Sequence, residues 1–343
     1  MSKLSPKDIK DGIDPPPIVK KLENDIKKLK SKNQELKLQI GADQSLLLDL
    51  KQIVQAFPPK HKIDVDVVNK SDIKTSTALL LSDWHIGEVI EADEIEGLNS
   101  YNLKIARDRV KKLVNKFCKW SIAQGSIDEV VIICAGDMIS GDIHEELRVT
   151  NEWPVPVQIV ESANLLADCV GEIARVFKTV RVEFIAADNH SRRSKKYQFK
   201  QAGLNSYNYL VGWIAQQQLD LHENVEFNLH TVIKALIEVR GYKYLCAHGH
   251  GLKSWMGIPY YAAEREVSRE AKYRMNIESK KFHKIVIGHF HTPMYGPSYI
   301  MNGSLSGTTE FDHGCGRYSP PSQVAWLVHP KHGDYNFISF ELS

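Results

Sequence analysis

Five short clusters of potential metal-binding side chains lie between residues 83 and 291 of this 343-residue chain. They combine carboxylate, imidazole and amide groups without thiolate, which suits divalent ions such as Mn²⁺, Fe²⁺ or Zn²⁺. These potential ligands are too many for one ion that keeps coordination positions open for substrate. They suit two ions about 3.5–4 Å apart that share a bridging carboxylate. The clusters are Asp83-Trp84-His85, Gly136-Asp137, Asp188-Asn189-His190, His248-Gly249-His250 and Gly288-His289-Phe290-His291.

Each cluster follows a short apolar run of the kind that forms a buried β-strand. Helical patterns over 103–120 and 157–177 separate the runs, so the layout predicts layers of sheet and helix. In open α/β sheets, ligands bind at the carboxyl ends of the strands, where these clusters would meet. The predicted strands are 77–81, 130–134, 180–186, 244–247 and 284–287, with closing strands at 299–301, 324–328 and 336–340.

The ordered series D-x-H, G-D, N-H, H-G-H and G-H-x-H resembles that of the calcineurin-like metallophosphoesterases over residues 77–292. The resemblance implies an α/β fold, a four-layer αββα metallophosphoesterase sandwich. It also implies two metal sites, with Asp137 bridging both ions. In this pattern Asp83, His85 and His291 would hold the first ion, and Asn189, His248 and His289 would hold the second.

The resemblance assigns a different role to His190, which stands next to a ligand. It would face the phosphate and protonate the leaving oxygen or stabilise the developing charge. The implied reaction is in-line attack of metal-activated hydroxide on a phosphorus ester. Mn²⁺ is the expected ion, with Fe²⁺ and Zn²⁺ as alternatives because all three share these ligands.

Two departures from the family pattern bear on the substrate. Asp188 stands where glycine is usual before the asparagine, and Ser191 stands where an acidic residue is usual after the histidine. The second motif reads GDMISG and lacks the Asp-Arg pair of the Ser/Thr protein phosphatases. Because that arginine helps to grip a phosphomonoester dianion, its absence argues against a protein phosphatase.

A basic stretch with interleaved aromatic residues begins beside His190, in the segment NHSRRSKKYQFK. Such a run is usually a solvated loop, but its position favours a track for phosphates with rings for base stacking. Arg192, Arg193 and His250 are therefore the candidate substrate-binding residues. The metallophosphoesterase core, the Asn189-His190 pair of the third motif and the dimerisation expected from the N-terminal segment resemble the nuclease branch of the family. With the basic stretch, they predict a phosphodiesterase that acts on nucleic acid, with DNA as the expected substrate.

Two other functions remain open. Residues 1–74 hold 15 of the 44 Lys and Arg and 11 of the 42 Asp and Glu, which leaves 29 and 31 in the main body. This balance weakens the expectation of strong nucleic-acid binding. It keeps a small-molecule phosphodiesterase or phosphatase, acting on cyclic or dinucleotides, as the alternative. A non-catalytic dimeric scaffold is the third function, against which the intact ligand set argues.

The N-terminal segment has a different pattern. Apolar residues recur three and four apart with Asn33 at an a position, which favours a two-stranded parallel coiled coil and hence a homodimer. The alternative is an amphipathic helix that lies on its own domain. We therefore predict a helical arm and linker over residues 1–74, with Pro58 ending the helix, and a catalytic domain over 75–343. The seam consists of Val19, Leu22, Ile26, Leu29, Asn33, Leu36 and Ile40.

The composition agrees with a cytoplasmic protein. No apolar stretch approaches the roughly 18 residues of a membrane span, and the N-terminus has no signal-peptide core. The five cysteines are odd in number and form no CxxC, so reduced thiols are expected.

Overall fold

The computed structural model describes residues 17–56, 74–253 and 259–343. Its contacts divide the chain into two compact units, Met1–Val68 and Asn69–Ser343. In the first unit the described residues form one helix of 40 residues, α1 (Pro17–Ala56). The predicted linker with Pro58 lies outside the described residues except for residue 74, so the boundary between 74 and 75 stays a prediction.

The second unit contains a six-stranded sheet that includes the first three predicted strands. Strands β1 to β4 are parallel, whereas β10 and β11 run antiparallel to their neighbours, in the order β11-β10-β1-β2-β3-β4. The strands are β1 (Thr75–Leu81), β2 (Ile127–Cys134), β3 (Val180–Ile185), β4 (Val225–His230), β10 (Ser322–His329) and β11 (Gly333–Glu341).

A five-stranded sheet, in the order β5-β6-β7-β9-β8, contains the predicted strands 244–247, 284–287 and 299–301, whereas 324–328 and 336–340 lie in β10 and β11 of the first sheet. Strands β6, β7 and β9 are parallel, and β5 turns into β6 through Arg240 and Gly241, both at positive φ. This pair of central residues matches the backbone of a tight hairpin turn. The strands are β5 (Ala235–Val239), β6 (Tyr242–Ala247), β7 (Lys284–Ile287), β8 (Met294–Tyr295) and β9 (Tyr299–Met301).

The two sheets pack face to face, and β1 shows how the sequence allows this. Leu79 and Leu81 belong to a core that the first sheet shares with helices. Ala78 and Leu80 point the other way, into a core between the sheets that includes Trp326. Because a strand buried on both faces needs apolar residues throughout, the run reads as continuously apolar rather than alternating.

Helices cover both outer faces, so the architecture has the four predicted layers. Helices α2 (Leu103–Ala123), α4 (Val155–Ala174) and α5 (Tyr207–Leu219) pack on the first sheet, and α6 (Tyr260–Arg274) packs on the second. Four short elements lie in the connections: α3 (Glu145–Thr150), α7 (Glu310–Gly314) and 3₁₀ turns at Ala92–Ile95 and Glu278–Lys280. The α/β sandwich expected from the sequence is confirmed.

Helix α1 is long but polar. Every side chain described on it is exposed. Neither α1 nor any other described helix combines the length and the apolar character needed to cross a membrane.

Candidate metal centre

The predicted ligands lie on loops that leave the carboxyl ends of adjacent strands. Backbone hydrogen bonds join these loops: the Asp83 amide donates to the Gly136 carbonyl and the His85 amide to the Asp137 carbonyl, both at 3.1 Å. On the second sheet, the Gly288 amide donates to the His248 carbonyl at 3.0 Å. The loops therefore hold one another in place before any ion binds.

The three residues assigned to the first ion come together. One ligand atom each of Asp83, His85 and His291 lies within 4.8 Å of the others. His85 Nε2 lies 3.2 Å from His291 Nε2, and His291 Nε2 lies 3.5 Å from Asp83 Oδ1. Two imidazole nitrogens and a carboxylate converging in this way match the ligands expected for a divalent ion.

Two residues assigned to the second ion converge with the predicted bridge, Asp137. Below, the residues around each ion site are called one half of the centre. Asp137, His248 and His289 form another group within 4.8 Å, in which His248 Nε2 lies 2.9 Å from Asp137 Oδ2. Asp137 also groups with His85 and His190. It thus stands between the two halves, as a bridging ligand must. The remaining predicted ligand, Asn189, has a buried Oδ1 that no hydrogen-bond donor of the described residues reaches.

The backbone at the centre is strained. Non-glycine residues rarely adopt positive φ, and each such residue costs on the order of 1–3 kcal/mol. Five of the seven predicted ligands adopt it, which indicates that surrounding contacts enforce the ligand directions. They are Asp83 (φ 56°), His85 (49°), Asp137 (49°), His289 (71°) and His291 (55°).

The imidazoles of His85 and His289 are in the form that binds metal. Burial lowers the pKa of both rings well below the ordinary value for histidine. Charge repulsion lowers the pKa further, from His190 in the first case and His248 in the second. Both rings are therefore neutral and keep a free lone pair, which a metal ligand requires.

Two other histidines show that the centre carries excess negative charge. Burial opposes protonation of His248 and His291, yet Asp137 raises the pKa of His248 to about 9. Asp312 and Asp83 raise the pKa of His291 to about 10. The carboxylates that stabilise these protons would equally stabilise divalent cations, which would neutralise their negative charge. Together with the orphaned Asn189 Oδ1, this donor set fits two such ions.

Asp188 and Ser191, the two departures from the family pattern, contact each other. The carboxylate of Asp188 accepts hydrogen bonds from Ser191 Oγ at 2.8 Å and from the Ser191 amide at 3.1 Å. It also accepts one from the Asp137 amide at 2.9 Å. Asp188 therefore ties the bridging ligand to the Asn189–His190 loop. Burial, followed by the charge of Asp137, raises the pKa of Asp188 to about 7.

A buried network that the sequence analysis missed supports Asp83. The hydroxyl of Ser82 donates to the Asp83 carboxylate and accepts from Asn302 Nδ2 at 2.9 Å. Gln323 Oε1 accepts from the Ser82 amide at 3.0 Å, and the His289 amide donates to Asp83 Oδ1 at 3.0 Å. The only local signal was a glycine- and serine-rich segment after β9, which predicts a turn and no metal support.

Two carboxylates that the sequence analysis also missed lie near the outer nitrogens, Nδ1, of His85 and His291. Glu88 Oε2 is 3.8 Å from His85 Nδ1, and Asp312 Oδ2 is 3.8 Å from His291 Nδ1. Acidic groups on the outer nitrogen of a ligating histidine orient the ring and increase its basicity. Glu88 follows His85 by three residues, but no pattern in the sequence points to Asp312.

His190 lies over the centre in a defined orientation. Its amide donates to Asp137 Oδ1 at 3.1 Å, and its Nδ1 lies 2.8 Å from the Ser140 carbonyl. Because a carbonyl only accepts, Nδ1 carries the proton and Nε2 is the nitrogen left for a reacting group. The ring is 4.6 Å from that of His85 and 5.4 Å from that of His144, another residue that sequence analysis did not select.

The three predicted substrate-binding residues have different surroundings. Arg192 donates to the backbone carbonyls of its own loop, including that of Asn189 at 2.6 Å, so its guanidinium is engaged there. Arg193 is exposed. The ring of His250 lies 5.7 Å from His248 and 4.3 Å from Tyr197. Arg192 shapes the loop and Arg193 is exposed, whereas His250 is half-buried between the rings of His248 and Tyr197.

Similar known proteins are found as a family pattern and as solved structures. No curated protein matches the chain. Two solved structures, each covering 78% of this chain and 99% of its own, are similar at low identity. They are wild-type Vps29 complexed with Zn²⁺ from Entamoeba histolytica (11% identity, TM-score 0.27) and a predicted phosphoesterase from Streptococcus pneumoniae (12%, 0.29). The pattern of the calcineurin-like phosphoesterases matches residues 76–334, more than half of the sequence. The chain therefore belongs to the calcineurin-like phosphoesterase family.

Proposed function

We propose that this phosphoesterase is a nuclease that hydrolyses phosphodiester bonds in DNA and uses two divalent ions, with Mn²⁺ expected first. Membership of the family makes it a metal-dependent phosphoester hydrolase. The observation that carries the finer proposal is the basic loop, residues 191–200, which begins directly beside His190.

Aromatic rings lead from the centre to the surface through the basic loop. His250 lies between the predicted ligand His248 and Tyr197, and the Tyr197 ring meets Phe199 edge-on at 5.2 Å. Phe199 is 77% exposed, although phenylalanine is normally buried. An exposed ring beside cationic side chains is the arrangement on which bases of single-stranded nucleic acid stack.

The charges of the basic loop support the same proposal. Arg193, Lys195, Lys196 and Lys200 are exposed, and the loop contains no acidic residue. None of these four side chains forms an ion pair within the described part of the chain, so all are available to phosphates. The loop thus offers several phosphate contacts leading to the centre.

The chain's own residues account for the handling of the proton and the substrate. Two bound ions would polarise the phosphoryl group and activate a water molecule. His190 presents Nε2 to the leaving oxygen because Nδ1 is held by Ser140. In the overall reaction one water is consumed: its oxygen bonds to phosphorus, the ester P–O bond breaks, and the released oxygen takes up a proton. We assign this proton to Nε2 of the doubly protonated His190 ring, in which Nδ1–H still donates to Ser140, and the ring regains it from the attacking water.

One observation favours the alternative, a phosphodiesterase or phosphatase for cyclic or dinucleotides. A cavity of about 320 Å³ adjoins the first half of the centre, and small-ligand sites begin at roughly 300 Å³. A small substrate would occupy this cavity without touching the basic loop. The two functions therefore differ in whether the basic loop matters for turnover.

Cleavage of end-labelled DNA tests the nuclease proposal. With Mn²⁺, we expect hydrolysis of single- or double-stranded DNA and of a generic aryl phosphodiester, and no hydrolysis by the Asp137→Asn variant. Turnover of the aryl diester without cleavage of DNA would contradict the nuclease and favour the small-molecule enzyme. A folded protein that binds no Mn²⁺ would instead favour the scaffold.

We also propose that two copies of the chain associate through α1. On this helix the seam residues Leu22, Ile26, Leu29, Leu36 and Ile40 are 49–66% exposed in the single chain. A helix that exposes a regular apolar stripe gains stability by burying it against a second helix. Asn33 lies in the same stripe, and a buried asparagine pair favours two parallel strands.

Removal of residues 1–57 tests the association. We expect the full chain to sediment as a dimer and the shortened chain as a monomer with unchanged turnover of an aryl diester. A shortened chain that stays dimeric would show that the main contact lies elsewhere.

A further inference from the structure

A second cavity of about 320 Å³ lies in the basic loop and the turn that follows it. Asp188 forms part of its wall, and the same carboxylate accepts a hydrogen bond from the Asp137 amide at 2.9 Å. Asn189, the predicted ligand of the second ion, is the next residue in the chain. This loop pocket therefore adjoins the second half of the centre. Its wall includes Asp188, Arg192, Arg193, Tyr197, Gln198 and Asn205.

The segment around the loop pocket is anchored to the rest of the domain. The Tyr207 amide donates to the Ser191 carbonyl at 2.8 Å, and the Gly203 amide donates to the Thr231 carbonyl at 3.3 Å. A side chain at Gly203 would place its Cβ 2.5 Å from that carbonyl oxygen, so only glycine allows this close approach. The wall of the pocket is thus formed before a ligand arrives, which lowers the entropic cost of binding.

Tyr197 contributes a buried hydroxyl to the loop pocket. None of the described residues offers this oxygen a hydrogen-bond partner, although buried polar atoms are normally paired because an unpaired one is costly. The ring is held between Phe199 and His250, with centroid distances of 5.2 Å and 4.3 Å. Because a phenol both donates and accepts, a ligand in the loop pocket with either kind of polar group would satisfy the hydroxyl.

The other polar groups of the loop pocket fit a neutral ligand better than a phosphate. Arg192 is engaged by backbone carbonyls, and the Asp188 carboxylate would repel an anion. Gln198 and Asn205 supply amide side chains, and neither forms a hydrogen bond through its side chain within the described residues. An amide donates and accepts side by side, which is the pattern that asparagine and glutamine use on the edge of a nucleobase.

We propose that the loop pocket receives one base of a single-stranded DNA, turned out of the strand, so that cleavage depends on the base beside the scissile bond. The inference rests on the proposed nuclease function. The edge of the base contacts the Tyr197 hydroxyl and the amides of Gln198 and Asn205, while the exposed Lys195 and Lys196 meet neighbouring phosphates. A single strand has no base pair to break, so turning out one of its bases costs little.

End-labelled single-stranded DNA with one altered position tests the inference. In one strand a single base is absent, and in another it is replaced by difluorotoluene, a ring with the shape of thymine and weak hydrogen bonding. With Mn²⁺, and with each strand cut at most once, we expect both changes to slow cleavage of the adjacent bond by about tenfold, the weight of good hydrogen bonds to a base. Bonds farther away should be cut at the usual rate.

Two results would overturn the inference while leaving the nuclease proposal intact. Full rate on the difluorotoluene strand would mean that bases only stack on the loop. Equal rates on all three strands would mean that no single base is bound. Hydrolysis of an aryl diester without cleavage of any DNA would instead overturn the nuclease and this inference together.

Two variants of the loop pocket sharpen the test. Tyr197→Phe removes the buried hydroxyl and keeps the ring, and Gln198→Ala with Asn205→Ala removes both amides. We expect each variant to bring the rates on the intact and the difluorotoluene strand close together. Gln217→Ala with Asn115→Ala, which changes two exposed amides on α5 and α2, should keep the two rates apart. An undiminished difference in both loop-pocket variants would overturn the inference.

Discussion

The two halves of the metal centre are built in different ways. In the first half Asp83 depends on Ser82, Asn302 and Gln323, of which the last two lie more than 200 positions away in the sequence. In the second half Asn189 sits in a loop held by its own neighbours, Asp188 and Arg192. The first half is thus fixed by packing between the two sheets, and the second by contacts within one loop and to the Asp137 loop.

The surfaces outside the two halves differ as well. The first half adjoins the cavity of about 320 Å³, whose wall contains five glutamates and no Lys, Arg or His, and the second half is followed by the basic loop. From this difference we infer that the metal ligands determine the type of reaction. The charged surfaces next to them determine which phosphoester can bind. Variants that affect one half and spare the other therefore separate catalysis from substrate selection.

Removing the residue that belongs to both halves should have the largest effect. Asp137→Asn takes away the carboxylate shared by the two groups, so we expect loss of detectable turnover and weaker binding of both ions. Metal content by mass spectrometry and aryl diester hydrolysis measure the two effects. Retention of two tightly bound ions would show that Asp137 is not the bridge.

Loss of His190 should be the next largest effect. His190→Ala removes Nε2 near the reacting group, so we expect turnover to fall by about 10²–10⁴-fold while two ions stay bound. His222→Ala, which changes a histidine beyond the centre on the connection between α5 and β4, is the matched control. If His190→Ala loses an ion, the histidine is a ligand, as its grouping with His85 and Asp137 would allow.

Changing the support of each half should have a smaller, one-sided effect. We expect Asp188→Asn to weaken the second ion and Asn302→Ala the first, each by about 10–100-fold in metal affinity. Titration with Mn²⁺ resolves the two binding steps, and thermal melting checks that both variants remain folded. Equal weakening of both steps by either variant would mean that the halves are not independent.

Changing the basic loop should have the smallest effect and be specific to DNA. Arg193→Ala with Lys195→Ala and Lys196→Ala should raise the KM for DNA and leave aryl diester hydrolysis unchanged. If all three contact phosphates of a single strand, the salt dependence of binding should fall by about 2 in log–log slope. Lys111→Ala with Lys119→Ala and Lys178→Ala is the control, and an equal loss of DNA binding there would remove any special role for the loop.

The strands, and the convergence of the candidate ligands at their ends, were predictable because their signals are local. The β1 and β7 runs are apolar to the last residue, and polar side chains follow directly, as in Leu81-Ser82-Asp83. Since parallel strands bring their carboxyl ends to one edge, the position of a ligand in the sequence also indicates its position in the fold. The predicted strands 299–301 and 324–328 lie in β9 and β10 for similar reasons.

The residues that support the ligands could not be found in this way. Asp312 comes from the short helix α7 and Gln323 from β10, and neither segment shows a metal-binding pattern. Gln323 reaches the Ser82 amide because β10 pairs with β1, and Asp312 meets His291 only in the folded chain. Asp188 and Ser191 were recognised as unusual, but only the folded loop shows that one carboxylate serves both positions. Arg192 looked free in the sequence and is engaged by carbonyl groups in the structure.

The sequence by itself determined the types and order of the candidate ligands and the strands that end in them. The tertiary structure alone decided which carboxylates stand behind the histidines and which charges face the two halves of the centre. The physical reason is distance along the chain. Glu88, Glu146 and Glu310 are far apart in sequence and line the same cavity only after folding. Local patterns record the direction of a strand and its burial, whereas the charge of a cavity belongs to several segments at once.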